Sequence, residues 1–361
     1  MTELVLEIGG TTMRAARYDS STTSVSGRIS CRTPAPGTGE PEGDHQRRVL
    51  RAMASLAKRV LRGRDPERVG VAYAGPLDAA GRVLASPTIL RRTDGGPFDL
   101  GGACARLWPG SAVVCVNDLS AAGFAYVASG LRDFAVVTVG SGIGHKVFLD
   151  GLPRVGAGRG GEIGHLRLDY SEDAPRCDCG AQGHLGALAS GRGVAALVLR
   201  GARSDPDGFR GSVLARLSPA RIDGVAVAGA FRAGDPFTRA VVRTSARYLG
   251  TALAALHLDT GVEDVLIVGG FALGMGEDYR RILAAAAADA SWAVGQDWDA
   301  IVRFGEDADT CTLRGAGLAA AAATSPASQS RTHRLTDAGG QRHPGRPAQL
   351  VASRGHVSDE A

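Results

Sequence analysis

The segment Gly161-Glu162-Ile163-Gly164-His165 precedes Cys177-Asp178-Cys179-Gly180-Ala181-Gln182-Gly183-His184. Two thiols and two imidazoles within twenty residues fit a closed tetrahedral Cys2His2 zinc site made by His165, Cys177, Cys179 and His184. Four protein ligands leave no open position, so such an ion is structural, and Gly180 and Gly183 allow the sharp turn around it. The same residues also read as a reduced pair of surface cysteines in a loop. A second constellation is Asn117-Asp118, directly after the apolar run Val113–Val116. Both residue types cap helices well. The chemical alternative is that Asp118 is a general base, accepting a hydroxyl proton while the oxygen attacks a phosphoryl group. Three glycine-rich turns complete the set: Gly9-Gly10-Thr11-Thr12, Gly140-Ser141-Gly142-Ile143-Gly144 and Gly269-Gly270. Glycine lets backbone N–H groups approach an anion closely, and hydroxyls beside it add donors. Neither a P-loop nor a clean G-x-G-x-x-G fingerprint is present. One such turn is as easily a plain tight turn; three in one chain favour a nucleotide held between two lobes.

The elements that must position these residues are legible in outline. Leu4–Leu6 and Met13–Tyr18 read as strands around the first glycine turn, and residues 20–44 as a loop or irregular edge rich in Ser, Thr, Pro and Gly. From Val49 to Leu61 the apolar residues keep helical spacing. Arg68–Tyr73, Val113–Val116, Val136–Val139 and Val265–Val268 read as buried strands, each ending in a polar or glycine-rich turn. Leu119–Ser129, residues 239–258, Arg280–Ala290 and Ala316–Ala323 read as helices. Strands alternating with helices make an α/β chain, with ligands expected at the carboxyl ends of the strands. The strand–turn units at 4–18 and 136–149 suggest a duplicated domain. After Ala323 few apolar residues remain, and 324–361 is expected to be disordered.

The 361 residues suggest two domains, and 41 Lys+Arg against 37 Asp+Glu leave a net charge of only +4. Lys58 and Lys146 are the two lysines; the remaining basic residues are arginines, scattered as codon bias would scatter them rather than gathered for nucleic acid. There is no run of 18 apolar residues, so no membrane span, and the start MTELVLEIGG lacks the basic region of a secretory signal. The expected location is cytoplasmic, where the six cysteines are thiols or metal ligands rather than disulfides.

On these motifs the chain resembles the ROK family of bacterial sugar kinases and related repressors, from about Glu3 to Ala323. Glu7-Ile8-Gly9-Gly10-Thr11 is similar to the family's D-x-G-G-T, Ala74-Gly75-Pro76 to its P-G-P turn, and Asn117-Asp118 to its N-D pair. Gly140–Gly144 matches G-[TS]-G-I-G, and 162–184 matches E-x-G-H with C-x-C-G-x-x-G-C, the last cysteine being His184. The resemblance implies a two-lobed actin-like (ribonuclease H-like) ATPase fold with a small zinc subsite. The lobes would be 1–118, completed by a helix at about 307–323, and 119–306. It implies ATP, Mg2+ and structural Zn2+ as cofactors, a homodimer, and no nucleic-acid or membrane partner. It makes Asp118 the base and puts Asn117, Glu162, His165 and Gly75 at the acceptor. Gly9, Gly10, Thr11, Thr12, Gly140, Ser141 and Gly142 would hold phosphates, and Gly269 and Gly270 the adenosine side.

Departures bear on the acceptor. Glu7 stands for the usual Asp and is expected to reach further toward the metal and phosphates, and Ala74 replaces a proline. His145-Lys146 stand where glycines are usual. Gly186 stands where the sugar kinases carry a Glu that contacts the anomeric side of the sugar. A cyclitol has no anomeric centre and loses nothing by this. The expected activity is therefore ATP-dependent phosphorylation of a primary hydroxyl on a sugar-like polyol, with a C7-cyclitol of the valiolone type favoured. Glucokinase or N-acylhexosamine kinase is the alternative within the class. A non-catalytic sugar-sensing regulator is the alternative outside it, disfavoured by Asp118 and by the absence of a DNA-binding segment before Met1.

Overall fold

Apolar residues fill consecutive rather than alternate positions in the strands Glu3–Ile8, Arg68–Tyr73, Phe134–Val139 and Val265–Val268. Such runs need cover on both faces, which is how parallel strands flanked by helices are built. The computed structural model describes residues 2–86, 89–90, 96–306 and 308–323. The expected disordered tail at 324–361 lies outside them, as does residue 307. The chain up to Ala322 is one compact unit holding two five-stranded sheets.

The first sheet runs Ser24–Arg32, Thr12–Asp19, Glu3–Ile8, Arg68–Tyr73, Ala112–Asn117. The second runs Leu152–Pro153, Ile143–Leu149, Phe134–Val139, Val265–Val268, Val302–Phe304. Each has an antiparallel edge of three strands and a parallel half of three, sharing one strand. The order is the same in both, so the repeat read at 4–18 and 136–149 extends over the whole sheet. This is the two-sheet α/β architecture expected of the chain.

Residues 20–44, expected as a loop or an irregular edge, are in part an edge, more regular than expected, and their last three residues already belong to the helix Glu42–Leu61. They contain the regular nine-residue strand Ser24–Arg32, paired with Thr12–Asp19 and interrupted by a bulge between Ala15 and Arg17. Its apolar residues, Val25, Ile29 and Cys31, alternate with exposed polar ones and are only half-buried, a sparse pattern within a segment rich in Ser, Thr, Pro and Gly. The helices Leu100–Leu107, Gly191–Ser204 and Gly224–Arg232 were not read from the sequence, although in Gly191–Ser204 the residues Val194, Ala195 and Val198 fall on one buried face. The long helix runs Pro236–Thr260, a few residues beyond 239–258 at each end. Asp235 caps it by accepting from Thr238 N, Pro236 occupies its first turn, and Gly261 ends it at φ 70°.

The helix Ala308–Ala323 lies against the first sheet at very close range. A Cβ on Gly70 would collide with Ala316 O, and one on Gly317 would lie 2.5 Å from the Tyr18 ring. Val5, Ala16, Tyr18, Ala72, Ala121, Leu313 and Ala316 form the small core there. The larger cores belong to the first sheet with helix Glu42–Leu61 and to the second sheet with helix Pro236–Thr260.

Candidate active site

The strand Ala112–Asn117 delivers Asn117 and Asp118 to the carboxyl edge of the first sheet, where the helix Asp118–Ala128 begins. Asn117 Oδ1 accepts from Leu119 N at 3.0 Å and Ser120 N at 3.1 Å, so the capping role is real. Its Nδ2 donates to Gly75 O at 3.0 Å and to Asp118 Oδ1 at 2.9 Å. The amide thus ties the Ala74–Pro76 turn to the carboxylate and is fully engaged within the protein. Asp118 Oδ1 also accepts from Leu119 N at 2.9 Å. Burial pushes the Asp118 carboxyl up from an ordinary 3.8 to about 6, against the pull of the Leu119 N–H and the Lys146 ammonium; the Glu162 carboxylate adds to the rise. It is ionised at neutral pH yet basic enough to take a proton.

A cleft of about 750 Å3 opens in front of Asp118. Gly9, Gly10 and Thr11 line it from the first sheet, and Gly140, Ser141 and Gly142 from the second. Gly75, Asn117, Glu162, His165, Cys177 and Cys179 also face it. Both turns are closed by their own backbone: Gly9 N donates to Thr12 O at 3.1 Å and Gly140 N to Gly142 O at 3.0 Å. Thr12, Gly269 and Gly270 are not among the lining residues. Thr12 begins the strand Thr12–Asp19. Gly269, at φ 97°, is needed for packing: a Cβ there would lie 2.7 Å from Thr138 Oγ1. Glu7 does not line the cleft either; its Oε2 accepts from Arg14 NH1 at 3.0 Å.

Glu162 is held from the second sheet. Lys146 Nζ donates to Glu162 Oε1 at 2.9 Å, to Gly160 O at 2.9 Å and to Gly161 O at 3.1 Å. His145 Nδ1 accepts from Ile163 N at 3.1 Å. Burial, with the Lys146 charge beside it, pulls the His145 imidazole down to about 4, so it is neutral at neutral pH. Neither residue was assigned a role from the sequence. The signal was there: one of two lysines in the chain, set in a glycine-rich hairpin. Arg192 was also missed. Its Nε donates to Ser141 O at 2.7 Å and its guanidinium pairs with Asp178, joining the 140–142 turn to the cysteine loop.

His165, Cys177, Cys179 and His184 come together with all four ligand atoms within 4.8 Å of one another. Cys179 Sγ is 3.3 Å from His184 Nδ1 and Cys177 Sγ is 3.8 Å from His165 Nδ1. Thiolates at about 2.3 Å and imidazoles at about 2.0 Å from one tetrahedral ion require ligand spacings of that size. Gly183, at φ 71°, passes so close to Asp169 O that no side chain fits. The donor set and its spacing therefore suit zinc. Gly186 lines the cleft beside this loop, and a Cβ there would lie 3.2 Å from Gly164 O.

The ROK family profile matches residues 4–316. A C(7)-cyclitol 7-kinase of Streptomyces hygroscopicus subsp. jinggangensis is 38% identical over 333 residues, covering 88% of this chain and 93% of that protein. A 2-epi-5-epi-valiolone 7-kinase of an Actinoplanes species is 31% identical over 353 residues, covering 88% of this chain and 92% of that protein. A ROK family glucokinase from Streptomyces griseus, solved in complex with glucose and AMPPNP, superposes with a TM-score of 0.67 at 24% identity, over 89% of this chain and 99% of that one. That last likeness concerns the fold. With the motifs lying in order around one cleft, and the profile spanning both sheets, the chain belongs to the ROK family.

Proposed function

We propose that this chain is an ATP-dependent kinase that phosphorylates the primary hydroxyl of a sugar-like polyol, with a C7-cyclitol of the valiolone type as its favoured acceptor. The observation that carries the reading is Asp118, pinned through Oδ1 and shifted to about 6, facing two glycine-rich turns across one cleft. Asp118 takes the proton of the acceptor CH2OH as its oxygen attacks the γ-phosphorus; the bond to the β-phosphate oxygen breaks and ADP leaves. Backbone N–H groups of Gly10, Thr11, Ser141 and Gly142 hold the phosphates, in turns that the Gly9 and Gly140 N–H groups close. Magnesium, bound with the nucleotide, would offset the negative charge of the phosphate oxygens. Glu162 and His165 receive ring hydroxyls, and Asn117 with Gly75 shapes the wall behind them.

Structural zinc on His165, Cys177, Cys179 and His184 is part of the same proposal, fixing the pose of His165. So are two lobes, 1–118 with 307–323 and 119–306, and a homodimer, which rest on the family resemblance, and a cytoplasmic location, which rests on the sequence of the first residues. Among the described residues no helix is long and apolar enough to cross a membrane.

The acceptor rests on two supports. Two of the relatives named above are a C(7)-cyclitol 7-kinase and a 2-epi-5-epi-valiolone 7-kinase, and Gly186 stands where the resemblance leads one to expect a carboxylate at the anomeric side of a hexose. A comparison of kcat/KM for a C7-cyclitol, glucose and an N-acylhexosamine, followed by ADP release, tests it. Faster turnover of the cyclitol is expected. Equal or better use of glucose makes the protein a glucokinase, and no turnover with any acceptor removes the kinase reading.

A further inference from the structure

Lys146 is 2% exposed, an unusual place for an ammonium group. It carries three N–H donors, and three acceptors meet them: Gly160 O, Gly161 O and Glu162 Oε1, at 2.9, 3.1 and 2.9 Å. A buried charge persists only when it is paired and hydrogen-bonded, and here both conditions hold. The room for it is made by Gly161. That residue sits at φ 82°, and a Cβ on it would lie 2.7 Å from Lys146 Cδ and 2.8 Å from Nζ. Next to Lys146, the neutral imidazole of His145 accepts from Ile163 N. Two consecutive side chains of one strand therefore hold the segment 160–163 at four points. Glycines at 145 and 146, which the family resemblance leads one to expect, would hold it at none.

We infer that Lys146 is a positioning residue of the acceptor site, holding the Gly160–Glu162 segment so that the Glu162 carboxylate is presented to an acceptor hydroxyl in one orientation. The inference rests on the proposed kinase function and adds a determinant of acceptor selection to it. One Glu162 oxygen is committed to the ammonium, which leaves the other for the acceptor. The ammonium has a second effect. The charged groups acting on Asp118 are Lys146, which favours its ionised form, and Glu162, which opposes it. Without Lys146 the Glu162 carboxylate would act on Asp118 without the ammonium that now offsets it.

The test is Lys146→Met, which keeps the apolar stem and removes the charge. The acceptor KM should rise about tenfold, the scale of one hydrogen bond to a charged group, while the KM for ATP stays within about twofold. The acid limb of kcat/KM should move to higher pH. In a Glu162→Ala background the same substitution should add less than about twofold to the acceptor KM, because the two residues act as a unit. Additive effects, or equal losses for ATP and acceptor with an unmoved acid limb, would show a merely structural lysine and overturn the inference. If Lys146→Met fails to fold, Lys146→Gln keeps two donors without the charge, and the same shift of the acid limb decides. Wild-type turnover on the acceptor panel tests the kinase reading separately. Calorimetric binding of cyclitol or glucose to wild type and variants reads Lys146 without turnover: weaker or lost binding in the variants supports it, and binding unchanged from wild type refutes it.

Discussion

The two sheets share one strand order, yet they bring different chemistry to the cleft. In the first, the antiparallel edge is long, ending in the nine-residue strand Ser24–Arg32, and the site receives a phosphate turn and a carboxylate at the tip of Ala112–Asn117. In the second, the corresponding edge strand is the two-residue Leu152–Pro153. The chain leaves that sheet early, and residues 154–184 run as a loop with one short 3-10 turn at Ile163–His165. That loop carries Glu162, His165 and the cysteine pair. Two frames of one strand order thus differ in their edge: nine residues of strand in the first, two residues followed by a long loop lining the cleft in the second.

The comparison breaks most visibly at the first sheet's carboxylate. Asp118→Asn should reduce kcat by about a hundredfold or more while leaving acceptor binding within about tenfold. Asn keeps an oxygen to accept from Asn117 Nδ2 and Leu119 N, but it cannot take the proton. Turnover above a tenth of wild type would remove Asp118 from that role. The same residue sets a pH dependence. Folding raises its pKa from 3.8 to about 6, so the ionised carboxylate is disfavoured in the native state as pH rises through that range. Activity in the wild type should therefore fall by about tenfold per pH unit below about 6. Above it, Asp118→Asn should melt at a higher temperature than the wild type, the trade expected of a buried catalytic charge.

The second sheet's loop is tested next. Metal analysis of protein purified without added zinc should find one zinc per chain, and Cys179→Ser should lower it and cost folding stability more than chemistry, because structural zinc binding is coupled to folding. Metal-free protein that is fully folded and active would leave the quartet as a plain thiol–imidazole cluster. The smallest expected effect lies at Gly186. Gly186→Glu should improve glucose relative to a cyclitol by up to about tenfold, the worth of one charge-assisted hydrogen bond. The backbone there is ordinary helix and the nearest obstacle is Gly164 O at 3.2 Å, so a side chain fits with a small local shift. No change in the ratio would locate acceptor choice elsewhere on the wall.

Much of this was legible in the chain alone, for local reasons. Glycine beside hydroxyl residues, a polar pair at the end of an apolar run, and thiols two residues apart state their chemistry within a few positions, and Gly9–Thr11, Asn117-Asp118 and Cys177–Cys179 are such cases. Gly269-Gly270 has no hydroxyl beside it; at φ 97° Gly269 packs against Thr138 and Val139, next to the Gly140–Gly142 turn, a closeness that the sequence does not show. Ser24–Arg32 was harder to read: Val25, Ile29 and Cys31 alternate with polar residues as a half-buried strand requires, but the Ser, Thr, Pro and Gly around them masked that period.

By itself, then, the sequence determined the α/β alternation, the duplicated strand–turn unit, the base and phosphate turns as chemical types, and the four residues able to surround a zinc ion. Tertiary structure decided which of them share a cleft. It turned Glu7 to Arg14, engaged both ends of the Asn117 amide, and brought a lysine from one strand under a glutamate sixteen residues later. Those pairings depend on where the backbone lets chains approach, at Gly161 above all. A glycine at positive φ is the same letter in the sequence whether it makes an idle turn or, as here, the space that a buried ammonium fills.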